Sequence, residues 1–117
     1  MIEELVGKVF ATRGASHLAH WKTKSFAQHM ALDTFYNGLI EKIDGLVEVY
    51  QGACGLIGPV TMPSVKPDKI LDHIVEESDW IAEHRDEIAE DVDAIKNLID
   101  DLVGLYLSTI YKLKNLS

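Results

Sequence analysis

At 117 residues, with 47% hydrophobic and 26% charged positions, the chain has the makings of one globular domain, too small to enclose a large substrate pocket. Its net charge of −8 excludes the basic surface that a nucleic-acid or anionic-membrane binder needs, and favours cations instead. Cys54 is the single cysteine, which excludes an intramolecular disulfide; with no secretory leader and no apolar run near the ~20 residues of a membrane span, the expected compartment is the cytoplasm.

The first element in the chain is a helix. Ile2, Leu5, Val6, Val9 and Phe10 recur at helical spacing, Glu3 and Glu4 suit the N-terminal dipole, and the stripe continues to Arg13, His17 and His20. That helix is expected to end near Lys22. Ser25-Phe26-Ala27-Gln28 reads as a capping box, so a second helix is predicted from Phe26 to about Gln51, with Leu32, Phe35, Leu39, Ile43, Leu46 and Tyr50 facing the core.

GACGLIGPVTMPSVKP, residues 52–67, is the one segment long and broken enough to be a crossover loop. A third helix is predicted from Pro67, carrying Ile70, Leu71, Ile74, Val75 and Ile81. The apolar pattern runs on through Ile88, Val92, Ile95, Ile99, Leu102, Tyr106 and Ile110, and a turn placed in the acidic stretch His84 to Asp91 lets the chain fold back. Two short connections and one long one predict an all-α fold over residues 1–117: a four-helix bundle with a single crossover between helices 2 and 3, the ferritin-like connectivity.

The second helix also carries His29, Asp33, Asp44 and Glu48, two pairs each four residues apart, within ~100° of one another beside the apolar face. His29 and Asp44 lie ~22 Å apart along the helix, so one metal centre cannot use both. A twofold partner running antiparallel would set His29 and Asp33 of one chain opposite Asp44 and Glu48 of the other. His20, on the first helix just before the turn, is placed to lean toward His29. Imidazole mixed with carboxylate suits iron, zinc or manganese, while calcium prefers oxygens alone and structural zinc prefers thiolates. The Glu-x-x-His pairs of a di-iron centre inside a bundle do not occur.

In these residues the chain resembles the Dps mini-ferritins. Their signature reads here as His20-Trp21, Phe26, His29, Asp33, Phe35 and Asp44-Gly45-Leu46-Val47-Glu48, over roughly residues 17–52. The resemblance implies a ferritin-like subunit that oxidises Fe(II) with peroxide or oxygen at sites shared across twofold interfaces. It implies His20, His29 and Asp33 from one chain and Asp44 and Glu48 from the other as ligands and catalytic residues, and iron storage in a closed, twelve-subunit shell. Three departures stand out: a His20–His29 interval three residues shorter than the family pattern, a short crossover loop, and no lysine-rich N-terminal arm. The last, with the acidic charge, argues against DNA binding. The alternative function is a structural or interaction bundle without ferroxidase activity.

The remaining polar residues have plainer readings. His17 suits the surface or the neighbourhood of a ligand. His73 and His84 sit among acids (Asp72, Glu76, Glu83, Glu87) that an acidic helix supplies by chance. Trp21 and Trp80 suit packing or interface roles, and Glu90-Asp91 and Asp100-Asp101 a solvated face.

Overall fold

A computed structural model describes residues 1–117 as five helices and no strands: α1 (Ile2–Lys22), α2 (Phe26–Cys54), α3 (Ile70–Glu83), α4 (Arg85–Ala89) and α5 (Asp93–Asn115). α1 packs on α2, α2 on α5, α5 on α3, and α3 back on α1, so the longer helices close a ring around one core. That core runs from Leu5 and Val9 through Phe35, Leu39 and Ile43 to Ile74, Ile81, Ile99 and Leu102, all essentially inaccessible to solvent. Each such side chain contributes ~1.5–3 kcal/mol relative to leaving it in water. None of the helices is long and apolar enough to cross a membrane.

α1 ends at Lys22, as its stripe predicts, but its core face differs from the expected one. Burial follows Ile2, Leu5, Val9, Thr12, Ser16, Ala19 and His20, while Phe10 is exposed and Arg13 and His17 are half-buried. The stripe drawn through Phe10, Arg13 and His17 is therefore a turn-edge neighbour of the true one. Helical sectors ~100° apart are hard to separate when Thr and Ser occupy core positions.

Only three residues join α1 to α2. Ser25 caps α2, its hydroxyl accepting from the Gln28 N–H at 3.2 Å. The return bond of a capping box is replaced: Thr23 Oγ1 accepts from the Ser25 N–H and donates to Gln28 Oε1, each at 3.2 Å. Both groups are satisfied and the hairpin is held tight.

The crossover covers residues 55–69, so α3 begins three residues later than Pro67 would have it. It lies against α1 where Gly7 leaves room: a Cβ there would stand 2.2 Å from the carbonyl oxygen of Thr61. Glu3 ties the loop down, its carboxylate accepting from the Gly58 N–H at 2.7 Å, and that bond holds its pKa below the ordinary value. The break expected between His84 and Asp91 contains α4 rather than a bare turn. Glu90 and Asp91 take left-handed conformations there, and the N–H groups of Glu90 and Asp91 return to the carbonyls of Glu87 and Asp86. Arg85 clasps Asp100 with two bonds of 2.6 and 2.8 Å, fixing α4 against α5.

Candidate metal-binding residues

The tight hairpin brings His20 and His29 face to face. Their rings stack with centroids 3.6 Å apart and planes within 22°. Each Nδ1 reaches the other residue's backbone carbonyl: His20 Nδ1 to the His29 oxygen at 2.7 Å, His29 Nδ1 to the His20 oxygen at 2.9 Å. A carbonyl oxygen only accepts, so both Nδ1 atoms carry protons and donate. In the neutral rings both Nε2 atoms are then lone-pair donors. Neither Nε2 has a partner within the chain, and neither is sealed from solvent. Ligating histidines are commonly oriented in this way, by a carbonyl that fixes the tautomer through the other ring nitrogen.

Around this pair the hairpin builds a small aromatic stack. His17 lies over Tyr36 at 4.2 Å, Trp21 tilts onto His17 at 4.6 Å, and His20 meets the edge of Tyr36 at 5.5 Å. Tyr36 donates its hydroxyl to Asp33 at 3.0 Å; desolvation first and that bond second raise its pKa. Asp33 also accepts from the Asn37 amide, so its carboxylate is aimed by two neighbours on its own helix. Outside the stack the apolar surface is open. Trp21 is 67% exposed and Phe26 77%, with Leu18 and Met30 beside them in the same hairpin.

Asp44 and Glu48 are exposed, at the other end of α2. They flank a depression of about 220 Å³ walled by Val6, Phe10, Ile43, Val47 and Ile57. The structure thus brings His20 to His29, leaves Asp33 one turn away, and keeps Asp44 and Glu48 apart from all three. No three His, Cys, Asp or Glu side chains come together as a metal site within one chain.

A second polar cluster was not legible as such. Glu77, only 5% exposed, sits in the core between α1, α3 and α5. Thr12 Oγ1 donates to its Oε1 at 2.9 Å and the Tyr106 hydroxyl donates to its Oε2 at 2.5 Å. His73, one turn earlier on α3, places Nε2 2.7 Å from Thr12 Oγ1 and 3.3 Å from Glu77 Oε1. Burial and the adjoining carboxylate raise the Tyr106 pKa well above its ordinary value, so it remains a neutral donor. The available signal was positional: Thr12, Glu77 and Tyr106 each occupy a core position of their own helix's apolar stripe.

Comparison with known proteins places the chain. Residues 20–113 match the model of DUF5856, a family of unknown function, and the chain belongs to that family. It is also 30% identical over 116 residues to the uncharacterized 14.6 kDa protein in the mobD-ri intergenic region of Enterobacteria phage T4, covering 95% of this chain and 86% of that one. No solved structure matches. The resemblance to the Dps mini-ferritins is thereby corrected: the DUF5856 match takes in His20, Trp21, Phe26, His29, Asp33, Asp44 and Glu48, the residues on which that resemblance rested. A short His/Asp/Glu pattern on one helical hairpin is too small a signature to assign a family that the whole chain does not support.

Proposed function

We propose that the chain binds a divalent transition metal, iron foremost and zinc or manganese as substitutes, at a site shared between two copies related by a twofold axis. The observation that carries this reading is the His20–His29 pair, two imidazoles whose Nδ1 protons are spent on backbone carbonyls and whose Nε2 atoms have no partner in the chain. Asp33 from the same copy, and Asp44 with Glu48 from the other, supply the carboxylates. The ~22 Å between the two halves of α2 is the distance an antiparallel pairing would bridge. Held by this donor set, Fe(II) is the substrate of oxidation by peroxide or oxygen, with the protein supplying ligand geometry. The one-crossover, ferritin-like reading of the helix order fits this scheme, with α4 as an added turn. An assembly of such dimers, up to a closed shell, would store the product in the cytoplasm. The net charge of −8 argues against duplex DNA as a partner.

One observation favours a second reading, a bundle serving only as an interaction module: Leu18, Trp21, Phe26 and Met30 form an exposed apolar hairpin tip that would suit a protein partner without any metal.

Co-expression separates the two. His29→Ala and Glu48→Ala, each shown folded and dimeric, should each abolish Fe(II) oxidation and bound iron. Random pairing of the two variants makes half the dimers mixed. In a mixed dimer one site collects both lesions and the other is intact, so about a quarter of all sites recover. No recovery, or a monomer by light scattering at micromolar concentration, would remove the shared site and leave the interaction module.

A further inference from the structure

The Glu77 cluster is an unusual thing to build into a core this small. A buried carboxylate brings a desolvation penalty that apolar side chains of the same volume avoid, yet here three polar partners are arranged around it. Two features go beyond what satisfying Glu77 requires. The first is the triangle formed by His73 Nε2, Glu77 Oε1 and Thr12 Oγ1, with sides of 2.7, 2.9 and 3.3 Å. Metal–donor bonds of ~2.1 Å place adjacent ligands ~3.0–3.4 Å apart, so modest relaxation turns this triangle into one face of a coordination polyhedron. The second is access: a cavity of about 240 Å³ lined by Lys8, His73, Glu76, Glu77 and Trp80.

From these we infer that His73, Glu77 and Thr12 form a metal site within a single chain, distinct from the shared one, which takes a divalent first-row transition metal with its remaining positions open to the cavity. Thr12 has one hydroxyl proton and gives it to Glu77, so in the metal-free protein His73 Nε2 carries a proton and donates it to Thr12. Metal binding releases that proton to solvent and puts the Nε2 lone pair on the ion. Thr12 Oγ1 ligates as a neutral hydroxyl. Tyr106 is a positioning residue: it pins Oε2 and leaves Oε1 directed at the triangle. One imidazole, one carboxylate and one hydroxyl select manganese, iron, cobalt or zinc over calcium, which takes oxygens alone. Lys8 opposes the ion. Its ammonium rests over the Trp80 ring, 4.7 Å from the centroid, on the wall of the same cavity, where its charge disfavours a second cation.

Cobalt(II) alone, followed by its visible ligand-field bands, is the probe. The full chain is used with His29→Ala, Asp44→Asn and Glu48→Gln, which removes three of the five ligands of the shared site: one imidazole and both carboxylates that come from the other copy. In this background one equivalent of cobalt per chain should still bind. His73→Ala should abolish the bands and Glu77→Gln should weaken binding at least tenfold. Lys8→Met should tighten it severalfold, which a purely structural cluster would not do. Circular dichroism establishes that each variant is folded; His73 is partly exposed, so its replacement tests the site even if Glu77→Gln does not fold. Identical cobalt isotherms for the background and its His73→Ala derivative, or no tightening with Lys8→Met, would overturn the assignment. Failure of the shared site leaves this result untouched, because the background already lacks three of its five ligands and the comparison turns on His73 alone.

Discussion

The His20–His29 corner and the Glu77 cluster both join α1 to another helix through a histidine, but they complete their hydrogen bonds differently. At the corner the partners are two backbone carbonyls, nine residues apart across a tight hairpin, and one nitrogen of each ring is left over. Around Glu77 the partners are side chains 29 and 65 residues away in sequence, and both carboxylate oxygens are engaged. The first arrangement is local and leaves a ring nitrogen free on each histidine; the second is long-range, with its carboxylate buried and fully bonded. Removing a group from the second should therefore strand other buried groups, whereas removing one ring from the first leaves the other ring its carbonyl acceptor.

That contrast can be broken most directly at Glu77. Glu77→Ala leaves the Tyr106 hydroxyl and Thr12 without their acceptor and opens a cavity, so it should destabilise the fold by about 3–5 kcal/mol, read from urea unfolding. The concerted replacement Thr12→Val, Glu77→Leu and Tyr106→Phe removes the three buried members together and leaves only His73, which is partly exposed and lines the cavity, so it should unfold within about 1 kcal/mol of the parent, or later. If Glu77→Ala cost no more than a surface change, the cluster would be neither closed nor cooperative.

Gly7 tests a neighbouring contact of the same helix. With the Thr61 carbonyl only 2.2 Å from the place a Cβ would occupy, Gly7→Ala must push the crossover off α1. An overpacked contact of this kind costs about 1–3 kcal/mol. Limited proteolysis within 55–69 should quicken in step; an unchanged cleavage rate would mean that the loop is not seated there.

At the corner the expected effect is smaller. His29→Ala removes the ring stack and the bond to the His20 carbonyl but leaves the His29 carbonyl in place for His20, so about 1 kcal/mol should be lost. A loss as large as that of Glu77→Ala would show the hairpin to be as closed as the core.

The difference in range also explains what could be read without coordinates. The ends of α1, the start of α2 and its core face from Leu32 to Leu46, and the meeting of His20 with His29 follow from periodicity and one tight turn, whereas α2 runs on to Cys54, through residues 52–54 that the Gly-rich pattern assigns to the loop. The core of α1 beyond Val9 did not, because Thr12 and Ser16 are small and polar and so leave no mark in an apolar pattern. Nor did the Glu77 cluster: His73 looked like one more histidine in an acidic helix, and nothing local indicates that Thr12 and Tyr106 arrive beside it from two other helices. The family assignment erred for a related reason, since one hairpin's worth of ligand-type residues outweighed the rest of the chain.

The smallest effect concerns a tyrosine–glutamate pair outside the core. Tyr50 donates to Glu90, linking the C-terminal half of α2 to the turn after α4, as Tyr106 donates to Glu77 inside. The hydrogen bond to Glu90, with desolvation second, pushes the Tyr50 pKa up to about 12 from its ordinary 10.0. A pKa raised on folding means that the folded state holds the proton more tightly. The pair's contribution is therefore complete below pH 10 and is lost as pH rises from 10 through about 12. Tyr50 stands near the surface, where water and salt screen such pairs, so the contribution is modest. Tyr50→Phe should unfold slightly earlier than the parent in urea at pH 8, and the gap should close by pH 12. At high salt the gap at pH 8 should narrow, whereas the destabilisation by Glu77→Ala should barely respond, because Tyr106 and Glu77 are both buried and bonded to each other. Equal salt responses at the two pairs would mean that the Tyr106–Glu77 pair is wetter than its burial indicates.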